Sequence, residues 1–394
     1  MDKTSIFTPT PEHQSLRDTV RSFTETKIEP QATAYNKNEQ FNLALFRELG
    51  SLGLLGISAP EAYGGSAFDA VATVIAHEEL SASDPAFCLS YLAHSMLCVN
   101  NIAVNASPAQ QQQFLPKLCS GEWIGAMGMS ETEAGTDVLG MKTTAVLDGD
   151  HYVLNGTKMW ITNGCIDEGS TLADVVVLYA RTNPVSEPKA KISTFILTPD
   201  LAGFRVGQKI RDKLGMRASN TAELVLDNVR VPRQNLIGAE GESMKHMMRN
   251  LEIERVTLAA MSLGIARRCL DVMVAYAQTR KAFGKRIAEF GQIQQMVASS
   301  YAAYQAARAY VYNTALHLNL EKEGNRLDSD GVKLFATPMA KQVADCAIQV
   351  LGGNGYIGEY IVERLWRDAK LLEIGGGTIE AHQKNIMMDL IKRS

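Results

Sequence analysis

The chain has 394 residues, 46% of them hydrophobic and 21% charged, which supplies enough apolar material for large cores and excludes a disordered chain. At roughly 150 residues per domain, two or three domains are expected. Lys and Arg number 39 against 43 Asp and Glu, a formal charge of -4, which argues against a broad nucleic-acid footprint.

Met1 to Thr10 has neither an apolar signal core nor Arg-rich transit character. A cytoplasmic location of bacterial type is expected, or the mitochondrial matrix for a processed eukaryotic form. Apolar residues recur at helical spacing over Glu12–Ile28, Leu43–Leu55 and Val71–Leu80. Pro85 to Pro116 carries no Asp, Glu, Lys or Arg. Ser90, His94, Ser95, Asn100 and Asn101 interrupt it, so it reads as a buried helix and not as a membrane span. Ser107-Pro108 then supplies an N-cap and an N1 proline for a helix from Gln110. A helical domain over 1–122 is predicted.

Residues 123–240 switch to alternation and turn signals and predict a β domain. Thr143–Leu147 and His151–Leu154 flank Asp148-Gly149-Asp150 as strand, turn, strand. Asn155-Gly156 is predicted to turn the chain again into a strand over Thr157–Thr162. Further strands are expected at Asp174–Ala180, Ile192–Leu197, Phe204–Val206 and Ala222–Leu226. From Gly241 long helices return over Met244–Thr279, Gln292–Leu320 and Val332–Leu351, which predicts an antiparallel bundle over 241–394.

The six cysteines show no C-x-x-C pair, the histidines show no H-x-x-x-H pair, and no metal site is expected. No G-x-G-x-x-G follows a strand and no P-loop is present, which excludes the common nucleotide fingerprints. Glycine clusters at Gly352-Gly353-Asn354-Gly355-Tyr356, after an apolar helix, and at Gly375-Gly376-Gly377-Thr378, before the helix Ile379–Ile391. Each could be a helix cap or turn. Together they are places where backbone could approach a phosphate or a polarised oxygen. Alternation puts Trp160 and Thr162 on one face of a strand, where the indole is either core or cover for a planar cofactor.

These segments occur in a recognisable order. They are Met129-Ser130-Glu131 with Ala134-Gly135-Thr136-Asp137, then Trp160-Ile161-Thr162-Asn163-Gly164, then Lys213-Leu214-Gly215-Met216-Arg217-Ala218-Ser219. Arg280-Lys281-Ala282-Phe283-Gly284, Gln349 with the first glycine cluster, Arg367-Asp368-Ala369-Lys370 and Gly377-Thr378 complete the series. Over essentially its whole length the chain resembles the acyl-CoA dehydrogenases, and most closely the isovaleryl-CoA (short branched-chain) type.

The resemblance implies an α+β fold: an N-terminal all-α domain, a central β-barrel or sandwich, and a C-terminal four-helix bundle. It implies noncovalent FAD, an acyl-CoA substrate, an electron-transfer flavoprotein as acceptor, and a homotetramer with FAD sites completed by a neighbouring subunit. By the same resemblance Met127, Met129, Ser130, Trp160 and Thr162 line the flavin ring. Arg280 and Phe283 reach a neighbouring subunit's FAD, Gln349, Gly352 and Gly353 match the segment that contacts the adenylate part of FAD, and Thr378 and Glu380 complete the cofactor contacts. Thr136 stands near the CoA side. Gly291 departs from the family pattern, in which a Gln is common, although Gln294 still matches.

The implied reaction removes an α-proton from the thioester with a carboxylate while the flavin N5 takes the β-hydride. Most members carry that carboxylate directly before the Gly-Thr pair, where this sequence has Gly376. The alternative family position, on the first long bundle helix, is Glu254. Leu251, Glu254, Leu258, Met261 and Ile265 share a helical stripe, and a carboxyl on an apolar stripe has a raised pKa and suits a base. Gly376 keeps a backbone N–H for the thioester oxygen, Arg255 matches a substrate-region arginine, and Gly375 leaves room for branching near the β-carbon. Medium- or long-chain dehydrogenation, a flavin oxidase and a non-catalytic acyl-CoA-binding homologue are the alternatives.

Overall fold

The computed structural model describes residues 5–187 and 189–393. Seven helices come first: α1 (Pro11–Phe23), α2 (Glu29–Asn38), α3 (Leu43–Ser51), α4 (Ala70–Ser81), α5 (Pro85–Leu92), α6 (Asn100–Asn105) and α7 (Pro108–Ser120). A π-helical segment, Ala93–Val99, joins α5 to α6. The resulting run Pro85–Asn105 is long and apolar enough to cross a membrane, but 89% of its most apolar window is buried inside the protein. At α7 the reading of the sequence holds closely: Ser107 and Gln110 form a reciprocal capping box, with Pro108 opening the helix.

The middle of the chain forms β1 (Gly125–Gly128), β2 (Thr144–Asp148), β3 (His151–Thr162), β4 (Val175–Arg181), β5 (Ile192–Leu197), β6 (Phe204–Lys209), β7 (Thr221–Pro232) and β8 (Leu236–Ile237). The strand order is β6-β7-β3-β2-β4-β5-β8, with β1 pairing parallel to β4. One expectation fails here. Asn155-Gly156 does not turn the chain; it lies inside the 12-residue strand β3. The register against β7 shifts between Leu154 and Gly156, a bulge. Gly156 has φ +144°, and a Cβ there would lie 2.8 Å from the Thr143 Cα. Asn155 is held by the facing strand, where its Oδ1 accepts from the Asn228 backbone N–H at 2.8 Å. Glycine is therefore needed for a close backbone approach, which local turn statistics cannot distinguish from a hairpin.

The last third holds α8 (Met244–Thr279), a two-stranded hairpin (β9, Lys281–Ala282; β10, Lys285–Arg286), α9 (Gly291–His317), α10 (Arg326–Leu351), α11 (Gly353–Tyr356), α12 (Val362–Leu372) and α13 (Ile379–Arg393). The bounds of α8 match those read from periodicity. The N-terminal and C-terminal helices share one apolar core, in which Phe46, Ile75 and Leu80 join Met261, Ile265, Tyr312 and Ala340.

The joint between them is α4 against α8. A Cβ on Gly264 would lie 2.2 Å from Ser81 Oγ and 2.3 Å from the Glu78 carbonyl, so only glycine lets the two backbones meet. The adjacent carboxyls of Glu78 and Glu79 are fully buried there. Glu78 accepts from Arg17 at 3.0 Å, Arg308 at 3.0 Å and Tyr312 at 2.5 Å. Glu79 accepts two hydrogen bonds from Arg267, at 2.8 and 2.7 Å, and two from Arg21, at 3.1 and 3.2 Å. Burial would raise Glu79, but Arg267, Arg21 and Arg17 outweigh it and hold its pKa at about 2.

Two of the sequence motifs serve a second joint. The Met216 N–H donates to Asp368 at 2.5 Å and Arg367 donates to the Leu214 carbonyl at 3.0 Å. A Cβ on Gly215 would lie 2.4 Å from the Arg367 carbonyl oxygen. The Lys213–Ser219 and Arg367–Lys370 segments thus clasp each other, fastening the β domain to α12.

Gly264→Ala is expected to lower the urea midpoint by an overpacking cost of about 1–3 kcal/mol, because the atoms in the way include backbone. An unchanged midpoint in equilibrium denaturation would contradict this account of the α4–α8 joint.

Candidate active site

Helix α8 carries Glu254 on its buried stripe, one turn before Leu258 and among Ile253, Val256 and Met261, all of which are essentially inaccessible. Burial raises the Glu254 pKa, opposed first by the charge of Lys333 and then by that of Arg255. Among the described residues Glu254 has no ion pair within salt-bridge distance. Glu254 does not pair with its neighbour Arg255. The Arg255 guanidinium faces Asp330 at 3.2 Å, and its Nε donates to the Gly376 carbonyl at 3.4 Å.

The second glycine cluster lies directly against Glu254. A Cβ on Gly376 would meet Glu254 Cδ and Cγ at 3.3 Å and Leu258 Cδ1 at 2.7 Å, and its φ is +66°. The space that a side chain at 376 would need is therefore held by the Glu254 carboxyl. Gly375 differs: a Cβ there would meet only the Leu371 carbonyl, at 3.6 Å. Thr378 caps α13, accepting from the Ala381 N–H at 3.4 Å.

Behind the loop lies a buried polar cluster that sequence reading did not find. Lys333 donates to the Gly377 carbonyl, and its Nζ is 3.1 Å from His382 Nε2. His382 Nδ1 is 2.5 Å from Asp330 Oδ1, and Nε2 is 2.9 Å from the Gly377 carbonyl. Lys333, Asp330 and His382 are inaccessible to solvent. Burial lowers the Lys333 pKa to about 7, against the raising influence of Glu254.

On the sheet, β3 bulges again between Lys158 and Ile161. Trp160 sits at φ +60° and is 52% exposed, so the indole is not core. A bulky residue at positive φ is strained, and here the strain turns a flat ring outward beside Thr162. The neighbouring corner is fixed from below: buried Lys158 donates to the Met129 carbonyl at 3.0 Å and to Glu131 at 2.8 Å. Glu131 in turn accepts from the Lys142 and Thr143 N–H groups. Ser130 is tied to the strand by the Met159 N–H, which donates to its carbonyl at 2.9 Å. Met129 lies at the same corner. It is 5% exposed and packs with Met141, Tyr179 and Met247, leaving only its main chain at this corner. Met127 is half-buried and reaches α8, its Sδ 4.0 Å from Asn250 Nδ2.

The remaining expected residues lie elsewhere. The first glycine cluster packs at the far end of α8, where Asn354 donates to the Tyr276 hydroxyl at 2.8 Å. From Glu254 to Tyr276 is 22 residues (276 − 254), about 33 Å of helix. Arg280 is farther still. Phe283, with φ +51°, and Gly284, with φ +82°, turn the β9–β10 hairpin, and the Phe283 ring is 96% exposed. Gln349, Gly352, Gly353, Glu380 and Thr136 are exposed. A Cβ on Gly352, Gly353 or Gly291 would meet nothing within 4 Å.

The sequence matches three family models in succession: the acyl-CoA dehydrogenase N-terminal domain over 10–122, the middle domain over 126–229 and the C-terminal domain over 241–391. The chain belongs to the acyl-CoA dehydrogenase family. It is 43% identical to the mitochondrial isovaleryl-CoA dehydrogenase of Oryza sativa over 381 residues, covering 96% of this chain and 91% of that protein. The butyryl-CoA dehydrogenase of Megasphaera elsdenii superposes with a TM-score of 0.91 at 35% identity, covering 97% and 98% of the two chains. A glutaryl-CoA dehydrogenase from Mycobacterium smegmatis in complex with FADH2 superposes with a TM-score of 0.89 at 30% identity, covering 97% and 95%. The protein is an oxidoreductase that dehydrogenates acyl-CoA, in a family of flavoproteins.

Gly376→Ala is expected to destabilise the protein, since an L-residue is strained at φ +66° and its Cβ would press on Leu258. The Cβ would also push the Glu254 carboxyl aside, so kcat should fall even though no reacting group is removed. Wild-type kcat with an unchanged Tm would refute the shared-space geometry.

Proposed function

We propose that this enzyme oxidises short branched-chain acyl-CoA thioesters of the isovaleryl type to 2-enoyl-CoA, with Glu254 removing the α-proton. The observation that carries the assignment is the Glu254 carboxyl filling the space in front of Gly376, where a loop carboxylate would otherwise project. Burial raises its proton affinity, and the charges of Lys333 and Arg255 oppose that rise. Arg255 binds the Gly376 carbonyl and so orients the peptide whose N–H, in this reading, polarises the thioester oxygen. Gly375, where a Cβ would meet only the Leu371 carbonyl at 3.6 Å, leaves the wall open to a branch on the acyl chain.

The residues present fit FAD. The exposed Trp160 ring and Thr162 offer a planar face with a hydroxyl, beside Met127, Ser130 and the main chain of Met129. FAD, when bound, supplies the acceptor for the hydride leaving the β-carbon. About 33 Å or more of α8 separates Glu254 from Gly352, Gly353, Arg280 and Phe283. These residues and Gln349 therefore serve the cofactor of a neighbouring copy, consistent with a homotetramer. Thr378 and Glu380 contact the cofactor and Thr136 the CoA chain. The acceptor for the reduced cofactor is an electron-transfer flavoprotein. A second reading, a straight short acyl chain, is favoured by the likeness to butyryl-CoA dehydrogenase.

Glu254→Gln should keep bound flavin but lose substrate-dependent bleaching by about 10²–10⁴-fold or more in rate. It should also raise Tm at pH 7.5. The folded-state pKa of Glu254 lies above its unfolded value, so the fold disfavours the ionised form, and this penalty disappears below the ordinary carboxyl range. The Tm difference should therefore vanish as pH falls to about 4. Retained turnover would remove Glu254 from the role.

Among isovaleryl-, isobutyryl-, butyryl- and octanoyl-CoA, isovaleryl-CoA is expected to give the highest kcat/KM. Gly375→Ala should fold normally and lower the isovaleryl-to-butyryl ratio by about 10-fold. A wild-type preference for butyryl-CoA would establish the second reading.

A further inference from the structure

The geometry points to Lys333 as a positioning residue for the reaction: its buried side chain fixes the Gly377 carbonyl in the loop that lies against Glu254. The inference rests on Glu254 being the base. Three observations carry it. First, Lys333 is inaccessible to solvent and donates into the loop that lies against Glu254. A lysine buried only for packing would be replaced at no loss by an apolar side chain, whereas this one binds a main-chain oxygen one residue from Gly376.

Second, Lys333 has its own supports. His382 Nδ1 lies 2.5 Å from Asp330 Oδ1, and its Nε2 lies 3.1 Å from Lys333 Nζ and 2.9 Å from the Gly377 carbonyl. Lys333 and the imidazole therefore meet at one main-chain oxygen, and Asp330 fixes the imidazole from behind. The same Asp330 also faces Arg255, which holds the Gly376 carbonyl. Both carbonyls of the loop are thus tied to cations around a single buried carboxylate.

Third, the charges around Lys333 are few and come from every element packed on it. Glu254 and Arg255 face it from α8, Asp330 from its own helix, Glu373 from the end of α12 and His382 from α13. Glu254 is the first of these to favour the charged lysine, and Lys333 is the first charge that favours the Glu254 carboxylate. Arg255 acts in the same direction on Glu254, and Tyr179 of β4 also senses the carboxylate. Removing the positive charge at 333 therefore makes Glu254 harder to ionise, and the acid limb of the rate profile moves upward.

The test is the pH profile of acyl-CoA-dependent flavin bleaching for the holoenzyme, wild type against Lys333→Gln and Lys333→Met. Both variants should shift the acid limb up by about one pH unit, which is about a 10-fold lower rate on that limb. Lys333→Gln, which keeps a donor for Gly377, should retain most of the plateau rate, and Lys333→Met should lower it. Superimposable limbs with only a uniform loss of rate would mark a structural role and overturn the proposal. If neither variant yields folded flavoprotein, Asp330→Asn decides: weakened support for the lysine charge should move the limb in the same direction by a smaller step, and an unmoved limb overturns the proposal. Glu254→Gln is the control. Turnover in that variant refutes the base itself, whereas a dead Glu254→Gln with unmoved limbs elsewhere refutes only Lys333.

Discussion

The seating of α4 on α8 is the constraint on which the rest depends. Gly264 removes the side chain that would separate the helices, and the Glu78–Glu79 pair draws arginines from α1, α8 and α9 into the contact. Neither feature suffices alone. Two adjacent buried carboxylates are unfavourable unless cations and hydroxyls surround them, and those groups reach the pair only if the backbones are in contact. Glu254 lies ten residues (264 − 254), about 15 Å, before Gly264 on the same helix, so the joint sets the position of the proposed base along a rigid rod. The charged cluster also gives register: an apolar contact could slide by a turn, whereas four arginines and two tyrosines, Tyr304 and Tyr312, meeting two carboxylates cannot.

At the other end of the molecule's logic is a loop with no side chains of its own. Gly375, Gly376 and Gly377 contribute only backbone, so everything that orients them comes from α8, α10 and α13. This is a division of labour between a rigid helix that carries the Glu254 carboxyl, the proposed base, and a loop shaped by the cations beneath it. The sheet repeats the device. Lys158, buried under the Met129–Ser130 corner, grips a carbonyl as Lys333 does and is likewise pushed down by burial, to about 8. Two buried lysines thus pin two main-chain corners on opposite walls of the site.

Much of this was legible in the sequence. The ends of α8, the capping box at Ser107 and the apolar stripe bearing Glu254 follow from local spacing, and local spacing is what a sequence displays. The Asn155-Gly156 bulge was misread because the need for glycine there comes from Thr143 and Asn228, which are near only in space. Trp160 could not be assigned to core or surface, because its outward turn depends on a positive φ that no residue type announces. The cluster of Asp330, Lys333 and His382 spans more than fifty positions and has no motif spacing. It did leave one signal. Lys333 shares a helical stripe with Ala336, Ala340 and Ala347, all buried, and a charge on an apolar stripe is the same mark that singled out Glu254.

The shared volume of Glu254 and Gly376 also constrains descent. A carboxylate can serve from the helix or from the loop, and the two arrangements compete for the same few cubic ångströms. A lineage moving between them one substitution at a time meets either a crowded site holding two acids or an empty one holding none.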